Sequence, residues 1–321
     1  MNFLIDRHIE ILMFLNLFKK RHLIGSQNTK YILIGFLLLL QYLSPVKGEE
    51  YHMRALLVDN LYSIVTNEEE KQSFINFISN HQFTELTFYT GGPVDTRVIP
   101  LKMPEFNDLI RKTQSVGVTR IQIAVGSVAE MDRVMMFIKT YQARVDGFWL
   151  EFEWWNNSPR NFASAKSLIT YIRANGEGRS IGAYIGWVTQ DEMTDLTKMV
   201  DFIYIHSYVP NGKRTYSKIK DRLNMIQVAK PIRKARVFPI FSAEWLPPEI
   251  CNQGPSNPSF YDQMCFMGPW LKNNGGLVGA ENAFNAENAL DKSSNISWRN
   301  FASIRGFYYF AYTHLVKALQ N

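Results

Sequence analysis

Two glutamates are separated by a single residue in an unusually aromatic segment. This segment, residues 146–155, reads DGFWLEFEWW. Side chains of a β-strand alternate between its two faces, so Trp149, Glu151 and Glu153 share one face of this segment. Carboxylates at neighbouring same-face positions lie about 6–7 Å apart. In a poorly solvated site, their repulsion raises one pKa and leaves the other group ionised. The pattern predicts general-acid chemistry beside an electrostatic stabiliser. The alternative is a pair of solvated glutamates on an outward face.

Eight short apolar runs alternate with amphipathic segments from residue 53 onward. The runs are typical of β-strands and span residues 54–58, 85–89, 120–125, 147–153, 181–185, 202–206, 237–241 and 306–312. Residues 106–115, 128–138, 163–174 and 216–228 have helical spacing. Eight strand–helix units over about 265 residues predict a (β/α)8 TIM barrel, formed by a single domain at 49–321. Residues 245–300 are rich in Pro, Gly and Asn, and are expected to form a long insertion that holds a helix near 261–271.

An open doubly wound sheet is the alternative architecture. It needs a glycine-rich phosphate loop that opens a helix after an early strand. The nearest candidate, residues 176–182, precedes a strand and has the wrong spacing. In a barrel, the apolar side chains of strand four face the helices. Glu151 and Glu153 would then point inward near the C-terminal mouth, where the active sites of TIM barrels lie.

Capping boxes are predicted at three helix starts, where Ser or Thr precedes Glu by three residues. They span residues 66–69, 127–130 and 189–192.

The N-terminal 48 residues have the features of a leader. An apolar run of about twelve residues at 32–43 is too short for a transmembrane helix but fits a signal peptide. We expect cleavage near Gly48 and a secreted or extracytoplasmic protein. An uncleaved signal anchor that keeps the protein on a membrane is the alternative, and a start codon assigned too far upstream would also explain the long segment.

Only two cysteines occur, Cys251 and Cys265, and in an oxidising compartment they predict one loop disulfide. Two unpaired buried thiols are the alternative. Asn295 begins an N-glycosylation sequon, which matters only in a secretory eukaryote.

The net charge of +6 does not indicate a nucleic-acid partner. Residues 1–48 hold six Lys/Arg and two Asp/Glu, which leaves 29 basic and 27 acidic residues in 49–321. A nearly neutral body lacks the basic surface of a nucleic-acid-binding protein. The sequence also has no metal-ligand spacing, Walker loop or G-x-S-x-G motif, so no metal and no cofactor are expected.

Residues 146–154 resemble the strand-four signature of glycoside hydrolase family 18, whose members include chitinases and endo-β-N-acetylglucosaminidases. The family pattern is D-G-x-D-x-D-x-E followed by an aromatic residue. Asp146, Gly147 and Glu153 match it, as does the aromatic Trp154. Two positions depart from it, because glutamate replaces the last aspartate at 151 and tryptophan replaces the middle one at 149.

Further segments extend the resemblance over about residues 53–315. Residues 201–208 resemble strand six and place Tyr208 on the site tyrosine, although Val209 replaces the aspartate that often follows. Residues 306–311 resemble strand eight, with Phe310 where a tryptophan usually forms the site floor, and residues 125–127 resemble the glycine turn of strand three.

The resemblance implies substrate-assisted, retaining hydrolysis of β-linked N-acetylglucosamine glycans, either oligosaccharides or glycoprotein glycans. Glu153 would protonate the glycosidic oxygen while the substrate's acetamido oxygen attacks the anomeric carbon. Glu151 would orient the acetamido group, and Tyr208 would donate a hydrogen bond to its oxygen. The departures leave two alternatives open, since a displaced carboxylate can lower the rate by about 10²-fold. One is a catalytically weak or inactive, lectin-like barrel. The other is an interaction protein that uses the 245–300 insertion.

Aromatic side chains near the predicted strand ends could stack on sugar rings, although aromatics in a barrel also serve as core. The candidates are Trp149, Trp155, Tyr184, Trp187, Trp245 and Phe310. Asp59 and Glu244 follow strands one and seven and could join the site. His206 shares a face with Tyr208, and is either a buried interior histidine or a proton donor.

Overall fold

The computed structural model describes residues 53–91, 97–208, 214–243, 268, 270–291 and 298–320. Its strands are β1 (Met53–Val58), β2 (Glu85–Phe88), β3 (Arg120–Val125), β4 (Gly147–Leu150), β5 (Ser180–Ile185), β6 (Phe202–His206), β7 (Ala235–Ser242), β8 (Ala302–Ile304) and β9 (Gly306–Phe310). All pairings are parallel, and β1 to β7 follow one another around the sheet. Strand β9 joins β7 to β1, which closes a barrel of eight strands, while the short β8 pairs only with the start of β7. The fold is a (β/α)8 TIM barrel, as the sequence predicts.

Helices cover the outside of this barrel. They are α1 (Leu61–Thr66), α2 (Glu68–Asn80), α3 (Val98–Leu101), α4 (Met103–Ser115), α5 (Val128–Tyr141), α6 (Phe162–Asn175), α7 (Gln190–Met199), α8 (Thr215–Ala229), α9 (Gly276–Leu290), α10 (Trp298–Phe301) and α11 (Tyr312–Gln320). No helix of the described residues combines the length and apolarity needed to cross a membrane.

Strand alternation divides the buried side chains into two cores. On β1, Leu56 and Val58 belong to the larger core under the helices, whereas Ala55 and Leu57 belong to a smaller core inside the barrel. Inward residues of mixed size fill this lumen. Gly182 shows why small residues are needed, because a Cβ there would lie 2.3 Å from the Tyr204 ring.

The N-terminal end of the lumen contains a buried ion pair. Arg120 on β3 donates a 2.9 Å hydrogen bond to Glu85 on β2, which is fully buried. The same carboxylate oxygen accepts hydrogen bonds from Tyr204, at 2.8 Å, and from Gln122. A buried charge needs such compensation, so this network lets polar groups occupy the barrel interior.

Several local predictions need correction. Strand four ends at Leu150 rather than at 153, because the chain turns soon afterwards. Asn67, not Thr66, caps α2, since Thr66 is already the last residue of α1. Of the three predicted capping boxes, which all lie within the described residues, the one formed by Thr189 and Glu192 at the start of α7 is complete.

The predicted insertion 245–300 contains helix α9. The sequence did not indicate this helix, because its Gly and Asn residues are more typical of loops. The leader 1–48, Cys251, Cys265 and Asn295 lie outside the described residues, and so does most of the helix predicted near 261–271. The division into a leader and a barrel therefore stays a prediction.

Candidate active site at the C-terminal mouth of the barrel

Glu151 lies just past the end of β4, at the C-terminal mouth of the barrel. Its backbone N–H donates a 3.0 Å hydrogen bond to the Val125 carbonyl, which continues the β3–β4 ladder by one residue. Burial, together with the negative charges of Glu130 and Glu153, raises the pKa of the Glu151 carboxyl to about 8. Glu151 therefore holds a proton at neutral pH, as a general acid must.

Glu130 is a third carboxylate of this site, which the sequence indicated only as a helix cap. It lies in the first turn of α5, where Ser127 caps the backbone N–H of Glu130 at 3.2 Å. Its side chain does not return to Ser127, but accepts a 2.7 Å hydrogen bond from the Gly126 N–H. A Cβ on Gly126 would lie 2.8 Å from the Glu151 carbonyl oxygen, so glycine permits this close approach.

Glu153 lies on a turn and is exposed to solvent. The turn begins where the Trp154 N–H donates to the Phe152 carbonyl at 2.9 Å. Asn156 donates a 2.5 Å hydrogen bond to Glu153 Oε2 and accepts one of 3.2 Å from the Trp187 indole. Glu151 and Glu153 thus lie near each other in different environments, one partly buried and the other at the rim.

Tyr89 follows β2 and is a second residue that sequence reasoning missed. The charge of Glu151 raises the pKa of the Tyr89 hydroxyl, with burial and the Glu130 charge adding to the effect. Tyr89 also packs against the core inside the barrel. A phenol beside the carboxyl groups supplies another hydrogen-bond donor to the mouth.

Trp149 lies deeper than the mouth and is only 1% exposed. Its ring stacks between Tyr184, at a centroid distance of 5.5 Å, and Tyr308, at 6.2 Å. In this arrangement Trp149 is packed inside the lumen and supports the site floor. The placement does not support the predicted substrate contact.

Four aromatic side chains near the mouth are linked by ring contacts, partly through His206, and we call them the aromatic wall: Trp155, Tyr184, Trp187 and Tyr208. Trp155 packs edge-on against Tyr184 at 5.1 Å and is almost fully buried. Trp187 is 49% exposed, so it can stack on a ligand without rearrangement. Tyr208 is 8% exposed and lies 6.1 Å from Phe310, between ring centroids.

His206 lies behind this wall, 94% buried. Its ring is 5.4 Å from Trp187 and 3.7 Å from Tyr208, between centroids. Burial lowers the pKa of His206 to about 3, helped by the positive charges of Lys218 and Arg222. His206 is therefore neutral at physiological pH, which fits the buried interior histidine rather than the proton donor.

Of the remaining candidates, Asp59 has structural partners, and two others lie outside the described residues. Asp59 accepts hydrogen bonds from the backbone and side chain of Thr313, so it ties β1 to the start of α11. Trp245 and Glu244 fall outside the described residues. Within the part of the chain that the structure describes, no group of three His, Cys, Asp or Glu side chains could hold a metal ion.

No protein-family model matches the chain, and no curated protein sequence matches it. Among solved structures, it is similar to a probable 3-DHS dehydratase, AsbF, from Bacillus anthracis, with 8% identity over 84% of this chain and 100% of that chain and a TM-score of 0.45. A β-glucosidase from Exiguobacterium marinum has 9% identity over 77% and 78% of the two chains, with a TM-score of 0.43. A mutant tryptophan synthase alpha-subunit from Pyrococcus furiosus has 15% identity over 60% and 79%, with a TM-score of 0.40.

Likeness at this level assigns no activity. The fold is therefore assigned from the strand order, and the site is described from its own geometry. The resemblance to glycoside hydrolase family 18 is not confirmed.

Proposed function

We propose that the mouth of this barrel hydrolyses β-linked N-acetylglucosamine glycans. The proposal depends on one observation, which is that a proton-holding carboxyl group at Glu151 lies beside the exposed carboxylate of Glu153. Carboxyl groups in two such environments divide the acid and electrostatic roles of glycoside cleavage. The aromatic wall, with Trp187 exposed, offers a stacking surface for sugar rings.

The reaction would follow the substrate-assisted scheme. One glutamate protonates the glycosidic oxygen as the bond to the anomeric carbon breaks. The acetamido oxygen of the same sugar attacks that carbon and forms an oxazolinium ion. Water then opens this ion with retention of configuration and gives its proton back to the first glutamate. The second glutamate stabilises the positive charge, and Tyr208 donates a hydrogen bond to the acetamido oxygen.

Two assignments of the glutamates are possible. The family resemblance makes Glu153 the acid and Glu151 the residue that orients the acetamido group. The raised pKa of Glu151 favours the reverse, because a carboxyl group with a pKa of about 8 is still protonated at neutral pH. Substrates with different leaving groups separate the two, since a good leaving group needs little protonation.

The experiment compares Glu151→Gln and Glu153→Gln on chitooligosaccharides and on an aryl N-acetylglucosaminide. Replacing the acid abolishes cleavage of the oligosaccharide but spares much of the aryl glycoside cleavage, whereas replacing the stabiliser abolishes both. Glu69→Gln is the matched control, because Glu69 is an exposed glutamate in the first turn of α2 and is not among the charges that act on Glu151. The enzyme proposal fails if the wild-type protein turns over no member of a broad panel of such glycans.

A lectin-like barrel is the second candidate, favoured by the burial of Trp149 where the family pattern has an aspartate. It predicts measurable glycan affinity that falls when Trp187 is replaced by alanine. Glu153→Gln would leave that affinity unchanged, and no product would form.

The proposal includes a secreted or extracytoplasmic location, with a membrane anchor as the alternative if the leader is not cleaved. Recovery of the protein from the medium and N-terminal sequencing distinguish these cases. A mass increase of the two cysteine residues on alkylation, seen only after reduction, would support the Cys251–Cys265 disulfide.

A further inference from the structure

Two cations on α8 face the neighbouring helix α7 at the edge of the mouth. Gln190, the first residue of α7, donates a 3.0 Å hydrogen bond to the Met225 carbonyl, which fixes the side of α8 that faces α7. Lys218 and Arg222 lie seven and three residues before Met225, so all three share this side of the helix. Together they form a cationic stripe, defined here as Lys218 and Arg222.

The start of α8 is tied to the end of β6, which places the stripe close to His206. Ser207, the residue after His206, donates a 2.6 Å hydrogen bond to the Thr215 carbonyl at the beginning of α8. Lys218 is therefore one helical turn from this contact. The charges of Lys218 and Arg222 both act on the His206 ring, which itself contacts Trp187 in the aromatic wall.

The guanidinium group of Arg222 has two buried nitrogen atoms without a hydrogen-bond partner in the described structure. Its Nε and Nη2 atoms are inaccessible to solvent and meet no hydrogen-bond acceptor among the described residues. Asp221, the adjacent residue on α8, is exposed, and its negative charge acts on Arg222, but no hydrogen bond or salt bridge joins the two within the described ranges. By contrast, Arg54 holds both oxygens of Glu281, at 2.6 and 2.8 Å. Buried guanidinium donors that meet no acceptor destabilise a protein, so the environment of Arg222 favours an added anion.

His206 adds a second polar group without a partner. Its Nδ1 atom is buried and has no hydrogen-bond partner in the described part of the chain. A neutral imidazole can donate from one nitrogen and accept at the other. It can therefore bind the same polar ligand as the two cations.

We propose that Lys218, Arg222 and His206 bind an anionic substituent, a sulfate ester or a carboxylate, on the sugar chain that occupies the mouth. A guanidinium group fits an oxyanion with two parallel hydrogen bonds, and lysine adds a point charge. The inference rests on the proposed function for the glycan, but the anion site itself can be tested without turnover. With this anion site, the proposed substrate is an acidic N-acetylglucosamine glycan.

The first experiment uses inorganic sulfate as the probe. Sodium sulfate is titrated into the wild-type protein at constant ionic strength, with chloride as the reference, while the His206 ring is followed by NMR. Sulfate is expected to shift the His206 signals saturably and to raise the pKa of its ring, because a bound anion offsets the two cations. Arg222→Gln should remove this response, while Lys220→Gln should keep it, because Lys220 lies on the same helix but pairs with Asp291 at 2.8 Å. An identical response to sulfate and chloride overturns the proposal.

The second experiment compares O-sulfated and unmodified chitooligosaccharides of equal length. The sulfated glycan is expected to bind roughly tenfold more tightly, as expected for a hydrogen bond to a charged group, and Arg222→Gln should remove the preference. If the glutamine variant does not fold, Arg222→Lys replaces it in this experiment. Lysine keeps the charge but lacks the two parallel donors of the guanidinium group, so the preference for the sulfated glycan should weaken. Sulfate binding without any glycan turnover would refute the proposed hydrolysis and keep this site. Turnover without a preference for the sulfated glycan would refute this anion site and keep the proposed hydrolysis.

Discussion

Trp149 and Tyr184 stack almost parallel in the barrel lumen, with 5.5 Å between ring centroids and 12° between ring planes. Trp149 comes from β4 and Tyr184 from β5, two adjacent parallel strands. The small residues Ala124 and Gly182 are the direct neighbours of Trp149 on β3 and β5, so the indole has room to lie across the lumen. The stack thus forms the floor on which the mouth is built.

Removing Trp149 should destabilise the fold far more than removing the exposed Trp187. We expect Trp149→Ala to lower the free energy of unfolding by about 3–5 kcal/mol, because it deletes a fully buried aromatic ring and leaves a cavity. Trp187→Ala should change it by about 0.5 kcal/mol or less. Urea unfolding of both variants checks this, with unchanged m-values as the test that only stability differs. Equal losses would show that Trp149 is not part of the packed lumen.

The barrel could be predicted from the sequence because each strand is an apolar run between amphipathic helices. The end of β4 could not be predicted, because residues 151–153 keep the alternating pattern of a strand in the sequence although the strand has already ended at Leu150. Helix α9 was hidden for a different reason. Its sequence contains Gly and Asn, and its Glu281 pairs with Arg54, which is 227 residues away in the chain. Long-range contacts of this kind leave no local pattern.

Glu130→Gln should lower the pKa of Glu151 below about 8. The amide oxygen can still accept the Gly126 N–H, so the local geometry is kept while one negative charge beside Glu151 is lost. A ¹³C NMR titration of the glutamate carboxyl groups, with Glu151→Gln to assign the signal, measures the shift directly. If the protein is a glycosidase with Glu151 as the acid, the alkaline limb of its pH–rate profile should move to lower pH.

The control for this prediction is Glu69→Gln, an exposed change in the first turn of α2. It should leave the Glu151 signal at its wild-type position. A Glu151 carboxyl that titrates at the same pH with and without Glu130 would contradict the proximity of the two groups.

The contribution of Glu151 to the free energy of unfolding should fall as the pH rises from about 4.5 to about 8. In this window the folded protein keeps a proton on Glu151 that the unfolded chain, with the usual pKa of 4.5, has released. The folded state binds more protons, so raising the pH favours unfolding. Glu151→Gln has no charge to bury and should gain stability relative to the wild type between pH 5 and pH 8, as measured by urea unfolding. A difference that stays constant over this range would rule out the raised pKa.

The sequence indicated the pair Glu151 and Glu153 but not the groups that tune it. Glu130 was assigned to a capping box because its spacing from Ser127 fits one, yet its side chain turns to Gly126. Tyr89 follows β2, and its proximity to Glu151 depends on how β2, β3 and β4 are aligned in the barrel. Spacing along one strand is visible in a sequence, whereas neighbours contributed by other strands require the register of the sheet.

The buried ion pair at the opposite end of the lumen gives the last prediction. Glu85→Ala removes the acceptor of hydrogen bonds from Arg120, Gln122 and Tyr204, and leaves the guanidinium without its opposite charge. Breaking one partner of a buried pair typically costs about 3–5 kcal/mol of stability. Asp108→Ala breaks the exposed Asp108–Lys112 pair, which is 3.0 Å long, and should cost no more than about 1 kcal/mol. Urea unfolding of the two variants in parallel tests the difference. Similar losses would mean that water reaches Arg120 and replaces the carboxylate, and that the lumen is less dry than its packing indicates.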